Sequence, residues 1–250
     1  AQLADARAKG QVIFVQWHHT PYSSGIHGSQ TTSNQSGEAM RQWTPLLEEF
    51  RVAGVFAGHS EVPERSFVDA DNDGYGINYW DVGNAGDGLR GVESAFGNPA
   101  YRWTSDQNEP EVWNGNRLVS GGKHYGFLEV DVEPLGNGNF RVTLRPWHTF
   151  PLLDGSAQFN VTGFELREYN DLVVLEGPAN NLQRVNPESC RVDYNFDGEL
   201  TFDDVQGFIT RYNTGSPVSA GRAPGADLNF DGEFTFDDIQ AFVRLFNQGC

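Results

Sequence analysis

Hydrophobic and polar positions fall into two regimes along the chain. Between residues 11 and 58, two continuous apolar runs, "QVIFVQW" (11–17) and "GVFAG" (54–58), flank a stretch of helical periodicity. The first run has strand length and β-branched residues, as in a strand covered on both faces. From Ser36 to Ala53, residues Met40, Trp43, Leu46, Leu47 and Phe50 recur at helical spacing behind a Ser36 cap, with Pro45 bending or restarting the helix. Strand, helix, strand in that order predicts a right-handed βαβ unit of a layered α/β fold.

Beyond residue 65 the pattern shifts to shorter alternating runs separated by Gly, Asn and Asp: "RSFVD", "GINYWDVG", "HYGFLEVDVE", "FRVTLRPW" and "FNVTGFELRE". These predict antiparallel strands. The glycine-rich insert between Asn84 and Lys123, with Trp103 and Trp113, reads as an ordered loop excursion with little regular structure. "EGPANNLQRVNPES" (176–189) is rich in turn formers and reads as a linker, dividing the chain into domains at 1–175 and 190–250.

In the second of these the chain repeats itself. "DYNFDGELTFDDVQGFITRYN" begins at 193 and "DLNFDGEFTFDDIQAFVRLFN" at 227. Oxygen-bearing side chains occupy loop positions 1, 3, 5, 9 and 12: Asp193, Asn195, Asp197, Thr201 and Asp204, then Asp227, Asn229, Asp231, Thr235 and Asp238. Gly198 and Gly232 stand at position 6, where the loop turns sharply, and Glu199 and Glu233 at position 7 would offer a backbone carbonyl. This is the ligand spacing of a calcium loop, and position 9 can act through a water. Each loop runs into a helix with one apolar face, Val205, Phe208, Ile209 and Tyr212 or Ile239, Phe242, Val243 and Phe246, so the two faces are expected to pack together. Two Ca2+ ions, their binding coupled to folding, follow from the crowding of oxygens.

Residues 190–250 resemble a type I dockerin module, with duplicated "DxNxDGxxTxxD" loops each leading into one helix. The resemblance implies a cohesin-type protein partner. The connection "TGSPVSAGRAPGA" and the Phe-Asp pairs at loop positions 10 and 11 depart from the family.

Charge narrows the partners further. The 250 residues carry 34 acidic against 17 basic side chains, a net charge of -17, which repels nucleic-acid backbones and anionic membrane surfaces and makes metal ions the natural counter-charge. No apolar run approaches the roughly 20 residues of a membrane span, and "AQLADARAKG" lacks the order of a secretion signal, so any targeting segment is expected upstream or already removed. The two cysteines, Cys190 and Cys250, bracket the repeat region. As a disulfide they would stabilise by about 4 kcal/mol on chain-entropy grounds and point to a secreted or cell-surface protein. Two unrelated thiols are the other reading.

Both loops that follow the first two strands carry histidine: "HHTPYSSGIHGS" after the first and Gly58-His59 after the second. Open α/β sheets bind ligands beyond the C-terminal ends of their strands, so His18 and His59 are expected to meet. Neutral imidazole suits zinc, iron or manganese. "VIFVQWHHTPYSSGIHG" followed by "AGVFAGHSEVPERSF" resembles the last two blocks of the calcineurin-like metallophosphoesterases, close to the purple acid phosphatase branch, over about residues 10–150. The resemblance implies a β-sandwich with flanking helices, of which this chain holds the C-terminal part, followed by the small all-α calcium module. It also implies that His18 binds one ion (Fe, Zn or Mn) of a two-metal centre, that His59 binds the other, and that His27 contacts substrate, steadying the phosphate or protonating the leaving oxygen.

Glu61 stands where the family has a second histidine, and is expected as a metal ligand or as a base beyond the ligands; as a ligand it favours manganese, calcium or iron. Three earlier ligand blocks of the family do not occur here, which is expected of the C-terminal part of a longer protein or of a degenerate relative. The implied reaction is metal-assisted hydrolysis of a phosphate ester, two ions about 3.5 to 4 Å apart activating a bridging water. A non-catalytic, calcium-dependent docking or surface-attachment protein is the alternative. Arg65 reads as a structural ion-pair partner, "DADNDG" (69–74) as a strand-connecting turn and His124 as structural, while Asn160 begins a glycosylation sequon.

Overall fold

The computed structural model describes residues 1–28, 37–71, 73, 75–86, 88–91, 101–104, 110–156, 160–168, 171–185, 192, 194, 200–214, 226, 228 and 235–248. The fold mixes helices with two β-sheets. The first sheet contains β1 (Phe14–Gln16), β2 (Gly54–Ala57), β3 (Glu64–Val68), β4 (Ile77–Asp81) and β5 (Tyr101–Thr104) in the order β1-β2-β4-β3-β5. The β1 and β2 strands run parallel, with Val15 opposite Val55, as the strand–helix–strand pattern predicts. Parallel pairing extends to β4, a departure from the purely antiparallel expectation for this region; β3 and β5 are antiparallel. All five residues of β4 are buried because both faces of this central strand are covered.

The segment predicted as one helix divides at its proline. Residues Glu38–Trp43 form a 3-10 turn and α2 (Thr44–Glu49) begins with Pro45 in its first turn. Pro45 has no N–H to continue an α-helical ladder from the preceding turn, yet fits a helix start. An N-terminal helix without a counterpart in the sequence reading, α1 (Gln2–Ala8), brings Arg7 onto the carbonyl oxygens of Phe50, Arg51 and Ala179. It thereby satisfies acceptors at the C-terminal end of α2.

The second sheet comprises β6 (Val112–Asn114), β7 (Arg117–Ser120), β8 (Gly126–Gly136), β9 (Asn139–Leu153), β10 (Val161–Glu168), β11 (Val173–Pro178) and β12 (Gln183–Arg184). Strand β9 is its spine: β8, β10 and β11 all pair with it antiparallel. Two expectations are corrected here. The glycine-rich insert supplies β5, β6 and β7, with Gly115 at φ +60 turning the β6–β7 hairpin. Part of the expected linker belongs to the sheet, since β11 and β12 pair and Ala179 and Leu182 are buried between them in sequence; residues 186–189 lie outside the described set.

One core joins the two sheets, with Trp80 from β4 packed among Leu118, Leu144, Phe150 and Val173. The other face of the first sheet packs Ile77 and Tyr79 with Leu47 of α2 and Leu3 of α1. The layers are therefore helices, sheet and sheet.

A third cluster draws only on residues 192–246. Its helices, α3 (Phe202–Thr214) and α4 (Phe236–Gln248), meet through equivalent residues of the repeat: Phe208 stacks on Phe242 with ring centroids 4.3 Å apart. Among the described residues, no helix is long and apolar enough to cross a membrane.

Candidate functional site

The backbone of the β1–β2 pair continues past the strands and sets two histidines side by side. The His18 carbonyl accepts both the Gly58 and His59 N–H groups, at 3.2 and 3.1 Å. Their side chains then meet: His18 Nε2 lies 2.9 Å from His59 Nδ1. The rings of His19 and His27 stand 4.5 and 4.3 Å from that of His59, so three imidazoles surround a fourth. His18 faces solvent while His27 is buried. Burial, followed by the charges of His27, His19, His18 and Arg90, pushes His59 down to about 4, which keeps it neutral at pH 7. Its Nε2 is buried and has no hydrogen-bond partner among the described residues.

Buried carboxylates secure the first histidine loop from beneath. Asp81, at the C-terminal end of β4, accepts the Thr20 hydroxyl at 2.8 Å and the Gly83 N–H at 3.1 Å, and interacts with Ser60. It therefore ties the first histidine loop to the turn after β4. Burial, followed by the neighbouring Glu64 carboxylate, pushes Asp81 up to about 8. Glu64 accepts the Ser24 hydroxyl at 2.5 Å and the Ser24 N–H at 3.0 Å. Arg41 holds the same loop from the other side, reaching the carbonyls of Pro21 at 2.6 Å and Gly28 at 2.9 Å.

Two glycines let these segments approach. A Cβ on Gly37 would lie 1.8 Å from the Thr20 carbonyl oxygen, and one on Gly83 would lie 2.0 Å from that of Gly58. Backbone contacts this close admit no side chain.

Neither the family models nor the curated proteins contain a match to this chain.

The expected site residues are distributed as follows. His18, His27 and His59 come together. Glu61, two residues past His59, accepts Arg90 Nε on its Oε2 at 2.6 Å. Among the described residues, the carboxylate and imidazole ligand atoms that fall within 4.8 Å of one another in a set of three are those of Asp69, Asp71 and Asp73. The histidine centre is thus a pair of ligand atoms. The Asp69–Asp73 group sits in the exposed β3–β4 connection, where Asp73 is engaged by Arg51 at 2.7 Å and by the Tyr75 N–H at 2.8 Å.

Sequence reasoning passed over His19, Asp81 and Arg90. A signal for Asp81 existed, since it ends a strand, "INYWD", that lies parallel to β2 and so places its C-terminal end beside His59.

Arg65 is buried against Asp171 with Nε–Oδ2 at 2.6 Å. His124 is buried beside His148, its Nε2 2.6 Å from the Gly121 carbonyl. Asn160 is exposed, and its amide donates to Asp154 at 2.8 Å.

In the repeat, Asp193, Asn195, Asp197, Glu199, Asp227, Asn229, Asp231 and Glu233 lie outside the described residues, as do Cys190 and Cys250. The last position of each loop is described and identical in both copies. Asp204 accepts the N–H groups of Tyr194 at 2.6 Å and Thr201 at 2.8 Å; Asp238 accepts those of Leu228 at 2.7 Å and Thr235 at 2.8 Å. Each carboxylate therefore ties the loop start to the helix start, and both are fully buried.

Proposed function

We propose that residues 1–175 belong to a secreted or cell-surface metal-dependent phosphoric ester hydrolase of the calcineurin-like type. The observation that carries this reading is the 2.9 Å approach of His18 Nε2 to His59 Nδ1 at the ends of adjacent parallel strands. That approach brings both imidazoles within reach of one two-metal centre, whose ions stand about 3.5 to 4 Å apart. A His59 held neutral suits metal ligation as well.

In this reading His18 and His59 hold iron, zinc or manganese. The ions would supply a hydroxide nucleophile and neutralise phosphoryl oxygens. His27, one ring away from His59, orients the phosphate ester or gives a proton to its leaving oxygen. Asp81 and Glu64 hold the first histidine loop through Thr20 and Ser24, which fixes His18 and His27 relative to the sheet. Hydrolysis of p-nitrophenyl phosphate by the full-length protein with added manganese, zinc or iron tests this. Loss of turnover in His59→Ala supports the reading; an unaffected rate removes it.

Residues 190–250 form, in the same proposal, a dockerin-like module with two Ca2+ ions and a cohesin-type partner. A second reading, of a docking protein without catalysis, gains support from one observation. Phe202 and Phe236, at equivalent loop positions, are 69% and 65% exposed, and Ile209 and Val243, two helical turns on, are 48% and 50% exposed. Two matching apolar patches on small helices suit contact with a protein surface. Calcium-dependent association with a partner through these residues, combined with inert histidines, would favour it.

A further inference from the structure

Glu61 and Arg90 form a contact that the hydrolase reading leaves without a purpose. Glu61 follows His59 by two residues and adopts a φ of +57, in the left-handed region that side chains other than Gly, Asn and Asp rarely enter. Strain of this kind costs of order 1 kcal/mol or more and collects at functional loops. Here it accompanies a side chain bound to the 88–91 segment. Arg90 donates from Nε to Glu61 Oε2 at 2.6 Å, and the Arg90 N–H points back to the Glu61 carbonyl at 3.4 Å. A Cβ on Gly88 would come within 3.6 Å of the same carboxylate oxygen, so that segment lies directly against Glu61.

The geometry of the guanidinium separates this pair from the two-pronged pairs of the chain. Arg65 and Arg117 each engage their carboxylate through Nε and Nη2 together, and Arg51 engages Asp73 through both Nη groups. Arg90 uses Nε alone, and among the described residues its two Nη groups have no protein partner. The Glu61 side chain is 13% exposed and that of Arg90 49%, so the carboxylate is the anchored end and the Nη edge is the open one. Arg90 is also close enough to His59 for its charge to act on that imidazole.

An anion approaching this centre meets a protein of net charge -17, against which a local cation is needed. A fixed pair of N–H donors on a permanent cation is the group that planar, two-point recognition of phosphate oxygens requires. We propose that Arg90, held in orientation by Glu61, binds the non-reacting oxygens of a phosphate ester whose phosphorus lies at the His18–His59 pair. The inference rests on the hydrolase reading for the identity of the substrate. It also gives Glu61 a different role from its family counterpart: it positions an arginine in place of an ion.

The test uses the full chain with manganese and two probes, inorganic phosphate by calorimetric titration and p-nitrophenyl phosphate by kinetics. Arg90→Ala is expected to weaken phosphate binding tenfold or more and to raise KM by a similar factor, with little change in kcat, manganese content or melting temperature. Arg90→Lys recovers part of the affinity because charge returns without the fork. Glu61→Ala lowers phosphate affinity while leaving manganese content unchanged; a fall in manganese content would instead make Glu61 a ligand and overturn its positioning role. Phosphate binding as tight in Arg90→Ala as in the parent overturns the proposal even if turnover is present. If the parent shows no metal-dependent turnover, the hydrolase reading fails separately. Phosphate titration then still decides Arg90: binding that disappears in Arg90→Ala upholds the anion site, and absent or Arg90-independent binding rejects it.

Discussion

Arg65 and Asp171, 106 residues apart in the chain, form a two-pronged ion pair with both side chains wholly buried, at 2.6 and 2.7 Å. Arg65 lies in β3 of the first sheet, and Asp171 stands two residues before β11 of the second. Asn78 takes a further guanidinium nitrogen at 2.8 Å, and the guanidinium lies 5.7 Å from the Trp80 ring centroid. The pair thus crosses the interface between the sheets. Removing one partner leaves an uncompensated buried charge, so Asp171→Ala is expected to cost about 3–5 kcal/mol. Urea unfolding of that variant beside the double variant Arg65→Met/Asp171→Leu checks this, because the double variant should regain much of the loss.

The crossing of the loops after β2 and β4 makes a second prediction. Gly83→Ala would drive a methyl group into the Gly58 carbonyl, a backbone atom with little freedom to yield. A loss of about 3 kcal/mol is expected from overpacking of this kind. The measurement is the denaturation midpoint, and a variant as stable as the parent would show that the loops part easily.

Acid sensitivity should have an identifiable source in β9. His148 is buried, and burial, followed by His124, pushes it down to about 3. The unfolded imidazole titrates near 6.5, so the folded state binds the proton more weakly than the unfolded one. Its contribution is present above pH 6.5 and is lost as pH falls toward 3. Between pH 7 and pH 4 the parent is expected to lose on the order of 3 kcal/mol from this group, and His148→Leu should show a flatter stability profile over the same interval.

Much of the first sheet was legible because its signals are local. Two apolar runs with a helical stretch between them specify parallel neighbours, and the strand-end rule then brings His18 to His59. The 3-10 turn before α2 was half legible through Pro45. Strands β5, β6 and β7 were hidden because they are only three or four residues long in a glycine-rich setting, where pairing across the sheet outweighs propensity. The β11–β12 pairing was masked by Gly177 and Pro178, turn formers that here stand at the end of a strand. Arg90 was illegible for another reason: its meaning comes from a carboxylate 29 residues away, a contact that no periodicity encodes.

The repeat offers a fourth prediction. Asp204 and Asp238 each tie two backbone N–H groups, and a helix-start capping arrangement of this type contributes about 1–2 kcal/mol. With calcium coordination added to that role, far-UV circular dichroism should show the α3–α4 signal melting at a lower temperature once calcium is chelated. Asp238→Ala should abolish most of that calcium dependence. A melting curve indifferent to chelator would argue against the calcium reading.

The account turns on His18 and His59 sharing a metal centre, and zinc affinity, measured by chelator competition in excess calcium to saturate the repeat, tests this most directly. The expected result is binding by the parent that weakens at least tenfold in both His18→Ala and His59→Ala and stays unchanged in His124→Ala. Zinc binding that survives both substitutions, or none in the parent, would contradict it.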